Sequence, residues 1–318
     1  MTVCDVLIVG AGAAGMTAAC AIWEKNPALK VILADRADSP GGILLQCIHR
    51  GFGTGYFREE LTGPEYAKRL AKRLRDTKVS LRMNTEVVQI SADRSACVTG
   101  PDGWEEIRFQ CLVLATGCRE RAPGSLGIWG TRPAGVFCAG QLQKMINLGN
   151  YDPGEEAVIL GSGDIGLILA RGLLLCGKAV KRIVEIQPQS PAMVRNRIQC
   201  LEKYHIPLQV NATVTELHGT GRLRGVTVHD YKTGTDEYIT CDMLVIAAGL
   251  IPDRALLNHV EWDEKPQWLY LCGNCEYIHP IVDSISLQAE QKSLEILQCI
   301  ESSNLLLAEK FFRENGAD

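Results

Sequence analysis

The feature that most constrains this chain is a glycine-rich turn that occurs twice, each time between an apolar strand and a helix. In the first copy, Val3 to Val9 reads as a short apolar strand interrupted only by Asp5. It runs directly into Gly10-Ala11-Gly12-Ala13-Ala14-Gly15. A helical run from Met16 to Glu24 follows, rich in small residues, and a second strand, Lys30 to Leu33, ends at Ala34-Asp35-Arg36. Gly10 permits a tight strand-to-helix turn, Gly12 lets the backbone approach a pyrophosphate, and Gly15 lets helix and strand pack closely. The helix start offers unpaired N–H groups and the positive end of its dipole to phosphates. Asp35, 20 positions after Gly15, stands where an acid accepts hydrogen bonds from a ribose.

The second copy repeats the device. Ala157 to Leu160 is an apolar strand that runs into Gly161-Ser162-Gly163-Asp164-Ile165-Gly166. The helix continues through Leu167 to Cys176 and stops at Gly177, a natural C-cap. A strand from Arg182 to Val184 then ends in Glu185, 19 positions after Gly166. An acid at that place suits a free 2′-hydroxyl, so NAD(H) is favoured over NADP(H), with the basic neighbours Lys181 and Arg182 pulling the other way. One dinucleotide needs one such fold. Two folds imply two dinucleotides and a hydride that crosses between them.

The remaining composition narrows the class. A chain of 318 residues accommodates about two ordinary domains. A formal net charge of −4 gives no electrostatic reason to expect nucleic acid or an anionic membrane as partner. No stretch reaches about 18 uninterrupted apolar residues, so no spanning helix is expected. Met1 to Asp5 enters a strand without a basic region or cleavage site, which points to the cytoplasm. There the 13 cysteines are expected as small buried hydrophobes and not as a disulfide scaffold.

Three further segments read as strands returning to a sheet: Leu112-Val113-Leu114-Ala115-Thr116-Gly117, Leu244-Val245-Ile246-Ala247-Ala248-Gly249, and Trp268-Leu269-Tyr270-Leu271-Cys272-Gly273-Asn274. With them stand Gly41-Gly42-Ile43-Leu44-Leu45-Gln46-Cys47-Ile48-His49, Glu60-Leu61-Thr62-Gly63-Pro64-Glu65-Tyr66, Thr131-Arg132-Pro133-Ala134-Gly135-Val136-Phe137 and the turn Gly161 to Gly166 with Leu167. On these residues, from Asp5 to about Gln291, the sequence resembles the pyridine nucleotide-disulfide oxidoreductase superfamily. It is most similar to the branch with the hydrogen cyanide synthase flavoprotein subunit, the sarcosine oxidase alpha subunit, and FAD-dependent oxidoreductases associated with a glycerol-3-phosphate-dehydrogenase-like flavoprotein.

The resemblance implies an α/β chain of two Rossmann-like, three-layer dinucleotide-binding domains in a thioredoxin-reductase-like layout. No C-terminal interface domain of the larger disulfide reductases is expected. An FAD-binding domain is implied over 1–120 plus 250–318, with an NAD(P)-binding domain inserted at 121–249. It places FAD on Gly10, Gly12, Ala14, Gly15, Asp35 and Arg36, on Gly42, on Thr116 and Gly117, and on Gly273, Asn274, His279, Pro280 and Ile281. It places NAD on Gly161, Gly163, Asp164, Ile165 and Gly166, and on Glu185 and Gly249. Two departures stand out. Asn274 replaces the usual Asp, and the stretch from Pro252 to Gln267, which would carry a hairpin in the family, is shortened.

Neither of the family's standard dithiols is present. Gly41-Gly42 is followed by one cysteine, Cys47, and the stretch before the second glycine motif offers Cys138 followed by Ala139, Gly140 and Gln141. One Cys-x-x-Cys exists, Cys272 to Cys275; it is a redox pair or, because it overlaps the ribityl-binding turn, plain packing. No second ligand pair has zinc spacing. By resemblance the Cys47–His49 loop lies near the isoalloxazine ring, with Cys47 as a charge-transfer thiolate and His49 as proton donor, or with both merely shaping the pocket. The segment Tyr277 to Asp283 leads into an amphipathic helix, Ser284 to Leu297. The resemblance directs its N-terminus at flavin N1 and the C2 carbonyl, where His279 adds a donor or packs. Arg119, Glu120 and Arg121 contact phosphates or, as expected first, form a solvated hinge. The run Lys68 to Arg75 reads as the exposed face of an amphipathic helix.

The expected function is therefore an FAD-dependent oxidoreductase that transfers hydride between NAD(P)H and FAD. With no visible relay, electrons leave by the flavin itself, toward a partner flavoprotein, an iron–sulfur subunit, a quinone or oxygen. The resemblance implies a subunit of a dehydrogenase for an amine, a hydroxy acid or a glycerol-phosphate-like substrate, with a homo-oligomer also allowed. Two alternatives stay open: a disulfide reductase of the thioredoxin-reductase type using Cys272 and Cys275, and a non-catalytic FAD-binding subunit for assembly or sensing.

Overall fold

The computed structural model describes residues 1–258, 260 and 264–315, with side chains described to residue 302. The chain divides into two units, Met1–Cys118 with Pro252–Asp318, and Arg119–Ile251.

In the first unit, Thr2–Val9 lies parallel to Val31–Ala34 on one side and to Gly103–Leu114 on the other, with Val6 opposite Val31 and Cys111. Ser80–Arg82 extends the sheet beyond Val31–Ala34. Gly103–Leu114 is long enough for two neighbours on its far side. Its first half pairs antiparallel with Ser95–Gly100, which in turn pairs with Glu86–Ser91, and its last residues pair parallel with Leu269–Leu271. The central strands are continuous apolar runs because both faces are covered. Period-two alternation then splits their side chains. Val6, Ile8, Leu33 and Val113 face the helices, whereas Leu7, Val9, Ile32 and Leu114 face Val87, Ile90, Ala96 and Val98 of the hairpin.

Three helices form the helical layer. Ala13–Lys25 is buried from Ala13 to Ile22, since its small residues let it lie close to the sheet. Gly63–Arg75 begins with a Thr62/Glu65 capping box and Pro64. The third, Val282–Asn315, is much longer than the expected Ser284–Leu297. It packs Ala289, Ile296 and Ile300 into the same core. Ser286 bridges the three helices, its Oγ meeting Thr17 Oγ1 at 3.3 Å and the Tyr66 hydroxyl at 2.7 Å. The expected solvated face of Gly63–Arg75 holds for Lys68, Arg69, Lys72 and Arg75 but not for Arg73. Arg73 donates twice to Glu24 at 2.7 Å, to Glu290 at 3.0 Å and to the Tyr56 hydroxyl at 2.6 Å, so it is a joint between helices.

The second unit has a five-stranded parallel sheet in the order Val136–Cys138, Met243–Ile246, Glu156–Leu160, Ala179–Glu185, Leu208–Val210. Helices Ala139–Asn147 and Asp164–Leu175 cover one face. The other face packs on a four-stranded sheet built from Trp129–Gly130, Ala212–His218, Gly225–Asp230 and Thr235–Thr240. Each unit is thus three-layered.

Of the stretch from Pro252 to Gln267, His259 and Glu261 to Asp263 lie outside the described residues; between Pro252 and Gln267 the described remainder holds one short 3₁₀ turn, Ala255–Leu257. No helix among the described residues is long and apolar enough to cross a membrane.

Candidate functional site

The glycines of the first turn do two different things. Gly10 has φ of +107°, and a side chain there would run into the Ala115 carbonyl. A Cβ at Gly15 would overlap the Gly10 carbonyl oxygen. Both are glycine because backbone occupies the space. Gly12 is different: it is the N-cap of Ala13–Lys25, and no atom lies within 4 Å of where its Cβ would be. No side chain caps this helix, so its first N–H groups are open to an anionic ligand. Asp35 locks the turn from behind. Its Oδ2 accepts from Ala11 N–H at 2.6 Å and its Oδ1 from Ala37 N–H at 2.8 Å. A ribose hydroxyl would use the lone pairs that remain. Arg36 is exposed and pairs with Glu86 at 3.7 Å.

Two other glycine segments close on the same turn. Gly41 N–H donates to the Ala11 carbonyl at 2.8 Å, and a Cβ on Gly42 would lie 3.2 Å from Gly12 Cα. A Cβ on Gly273 would lie 2.8 Å from the Ala14 Cβ. Asn274, next in the chain, accepts from the His279 N–H through Oδ1 at 3.0 Å and reaches Cys118 Sγ through Nδ2 at 3.7 Å. The amide therefore does what an Asp in that place could not, donating and accepting at once. His279 is 8% exposed and stacks on Tyr277 with ring centroids 4.1 Å apart. Its Nδ1 meets the Tyr277 carbonyl at 3.0 Å and Asn274 Oδ1 at 3.3 Å, while its Nε2 is buried with no hydrogen-bond partner among the described residues. Burial holds its pKa below the usual histidine value. Pro280 and the exposed Ile281 lead from it into the long helix. Thr116 is turned elsewhere, its hydroxyl donating to the Asp253 carbonyl at 2.6 Å, and Gly117 turns the chain at φ +75°.

Cys47 follows the 3₁₀ turn Gly42–Gln46, and its Sγ lies 3.3 Å from the Ile43 carbonyl. Burial pushes its thiol up to about 11, which favours the pocket-shaping alternative for Cys47 over the charge-transfer thiolate. His49 packs its ring on Phe52, centroids 4.9 Å apart. Titrating the flavin-loaded protein to about pH 9, two units below the thiol value of about 11, is expected to raise no long-wavelength absorbance band, and Cys47→Ser is expected to keep the flavin reduction rate within about twofold. A band that appears in that range and vanishes in the serine variant would restore the thiolate.

The loop beyond His49 is held by a residue that no motif in the sequence singles out. Asp283, buried in the first turn of Val282–Asn315, accepts from the N–H groups of Gly53 (3.1 Å), Gly55 (3.1 Å) and Tyr56 (2.7 Å). An acid at a helix start was legible; a partner 228 residues away was not.

In the second unit the turn has the same anatomy. Gly161, at φ +105°, abuts the Ala247 carbonyl, and Gly166 abuts the Gly161 carbonyl. Gly163 is the uncapped N-cap of Asp164–Leu175 with open space where a Cβ would be. Glu185 plays the part of Asp35. Its Oε2 accepts from Ser162 N–H (2.8 Å) and hydroxyl (2.7 Å), and its Oε1 from Gln187 N–H (2.9 Å). Asp164 does not face the open turn through its carboxylate, which accepts from Met193 N–H at 2.9 Å and Asn196 Nδ2 at 2.7 Å. Ile165 is exposed beside it, and Gly249 turns the chain at φ +101°. Glu120 is only partly solvated, and its carboxylate is engaged by the backbone. It accepts from Gly140 N–H at 2.7 Å at the start of Ala139–Asn147, half-buried, and burial raises its pKa. Arg119 and Arg121 are exposed.

Cys272 and Cys275 are free thiols, both fully buried. Cys275 donates to the Leu114 carbonyl at 2.8 Å, and burial pushes Cys272 up to about 12. They are core thiols behind the Gly273 turn, closed to an external disulfide.

The two turns fit dinucleotides on their own geometry. Each offers an uncapped helix start, an open glycine and a locked strand-end acid, and the first adds an orphaned imidazole nitrogen. The protein is similar to hydrogen cyanide synthase subunit HcnB of Pseudomonas aeruginosa, 30% identical over 71% of this chain and 51% of the relative, so it spans about half the length of that subunit. It is also similar to the thioredoxin reductase of Treponema pallidum, 25% identical over 81% of this chain and 80% of that one. Among solved structures, T. acidophilum thioredoxin reductase shares the fold with a TM-score of 0.73 at 22% identity, covering 96% of this chain and 100% of the other. Residues 4–267 match the model of the pyridine nucleotide-disulphide oxidoreductases, and the chain belongs to that family of FAD- and NAD(P)H-dependent enzymes.

Proposed function

We propose that the unit built from 1–120 and 250–318 holds FAD, that residues 121–249 hold the nicotinamide dinucleotide, and that hydride passes between the two. The observation that carries this is the duplicated device: an open glycine at an uncapped helix start, each locked by an acid from the end of the next strand, Asp35 on Ala11 and Glu185 on Ser162. When bound, the two cofactors supply the redox chemistry itself. The chain binds and orients. Helix starts at Gly12 and Gly163 present N–H groups to diphosphates, and Gly42, Gly273 and Asn274 shape the flavin side. NADH is the preferred donor in this reading, because a carboxylate at Glu185 repels a 2′-phosphate. The buried Cys272 and Cys275 favour electrons leaving from the flavin and not through a thiol relay. The relative that is itself a synthase subunit supports a partner protein, a second flavoprotein or an iron–sulfur subunit, as the exchanging surface. Substrates of the amine, hydroxy acid or glycerol-phosphate type then belong to that assembly.

The test is anaerobic. Flavin absorbance is followed while NADH, then NADPH, is added, and thiols are titrated before and after. NADH is expected to bleach the flavin at least about tenfold faster than NADPH, about 1.4 kcal/mol of discrimination, with no gain of two thiols. Protein that takes up no flavin when supplied, or holds flavin that neither nucleotide reduces, sinks the proposal.

A further inference from the structure

Among the described residues of the first unit, His279 is the histidine whose ring is both fixed and unfinished. Two carbonyl-type oxygens, Tyr277 O at 3.0 Å and Asn274 Oδ1 at 3.3 Å, stand at Nδ1. Neither can donate. Asn274 Oδ1 is identified as oxygen because it already accepts the His279 backbone N–H at 3.0 Å. Nδ1 therefore carries the proton, and in the neutral ring Nε2 is a bare acceptor on the opposite edge. That atom is buried without a partner among the described residues, in a ring held flat against Tyr277. A buried polar atom left unsatisfied costs about 1–3 kcal/mol, which marks a place where a ligand group belongs. The turn that holds it, Gly273-Asn274, is the one seated on Ala14 of the first glycine motif.

We infer that His279 is a proton-accepting residue of the flavin site: neutral at Nε2 while the flavin is oxidised, it takes one proton from solvent when the flavin is reduced, and so places a cation beside the new negative charge. This rests on the FAD assignment above. The balance is NADH, FAD, neutral His279 and one solvent proton giving NAD⁺, the singly anionic reduced flavin and protonated His279. The hydride, which carries both electrons, comes from NADH; the proton comes from water and ends on Nε2. Nδ1 keeps its own proton and its two acceptors throughout, so the ring changes charge without turning.

The surroundings permit this. Burial holds the ring neutral in the absence of a neighbouring anion. Glu276 raises the ring's proton affinity, but it is tied to Lys292 Nζ at 3.2 Å and Gln288 Nε2 at 2.8 Å. Arg254 crosses the same turn, donating to the Cys275 carbonyl at 2.7 Å and to the Glu276 carbonyl. Asp283, four residues on, has its carboxylate on three backbone N–H groups of the 53–56 loop. The sign follows. The ring's pKa is low with oxidised flavin and high with reduced flavin. Between those two values reduction takes up two protons in total, one on the flavin and one on His279. Above and below that window it takes up one.

The experiment is a spectroelectrochemical titration of the flavin-loaded protein across pH, in wild type and His279→Gln. A two-electron couple moves about 30 mV per pH unit for each proton taken up. Wild type is expected to show a window of about 59 mV per pH unit that narrows to about 30 mV in His279→Gln. A steep window that persists in the variant belongs to the flavin itself and overturns the inference, as does a slope of about 30 mV throughout in wild type. Should His279→Gln fail to fold or hold flavin, ¹⁵N-histidine spectra of wild type decide. An Nε2 signal that changes from unprotonated to protonated on reduction supports the inference, and one that does not change refutes it. Protein that never takes up flavin fails at the earlier step and refutes the FAD assignment instead.

Discussion

Gly12→Val is expected to give a folded, colourless protein, and Gly15→Ala, a smaller change three residues away, is expected to give little folded protein at all. Gly12 sits at φ −79° with no atom within 4 Å of its Cβ position, so a Cβ there meets neither strain nor a clash. Its cost to stability is that of an altered N-cap, about 1 kcal/mol or less. What the valine fills is the space over the uncapped helix start, where a diphosphate would take its N–H bonds. Charge-assisted hydrogen bonds are worth about 1.5–3 kcal/mol each, so losing two weakens flavin binding by roughly 10²- to 10⁴-fold. Gly15 is the reverse. Its Cβ would overlap the Gly10 carbonyl oxygen, and both residues belong to a fixed strand-to-helix turn with no freedom to give way. Overpacking against backbone costs about 3 kcal/mol or more, a large share of a domain's stability. Thermal unfolding and flavin content of the two purified variants check both halves. A Gly12→Val protein that stays yellow would mean the turn is not a flavin site.

The same pair explains how much of this molecule the sequence exposed. Glycine spacing encodes backbone conformation directly, so both turns, their helices and their strand-end acids stood in plain view. Asp35 and Glu185 were found, yet their observed duty, locking Ala11 and Ser162, needs the turn's three-dimensional closure and was missed. Pairings across long stretches of chain were invisible for a simple reason: nothing near Asp283 in sequence resembles the 53–56 loop, and nothing near Arg73 predicts Glu290. Periodicity made Arg73 look solvated because its helix face is polar, while the partner that covers it comes from another helix. Glu120 failed likewise, since a lone acid after a crossover gives no hint of the helix start it caps. Protonation was the least legible property. Position left Cys47 open as a thiolate or as packing, because its charge depends on burial that no spacing reports. The long C-terminal helix was underestimated because polar residues near its middle blur the period that ends at Leu297.

A valine at Gly163 is expected to produce the opposite phenotype to Gly12→Val: a yellow protein that NADH no longer bleaches. Gly163 has φ −66° and an open Cβ direction, so the substitution is compatible with the helix start it caps. It lies in the unit Arg119–Ile251, which folds around its own two clusters of core residues, so flavin content is expected to match wild type. Only the nicotinamide nucleotide would lose its N–H contacts. By the same two-bond argument the second-order rate of flavin reduction by NADH falls roughly 10²-fold or more, while dithionite still bleaches the flavin completely. The two reductants separate the causes: dithionite needs no nucleotide site, so its success shows the flavin intact and assigns the defect to the second turn. Gly166→Ala serves as the control, because its Cβ would overlap the Gly161 carbonyl oxygen and destabilise that unit as a whole, in contrast to the selective loss at Gly163. If Gly163→Val were reduced by NADH at the wild-type rate, the second glycine turn would not be the donor's site, and hydride would have to enter by another route.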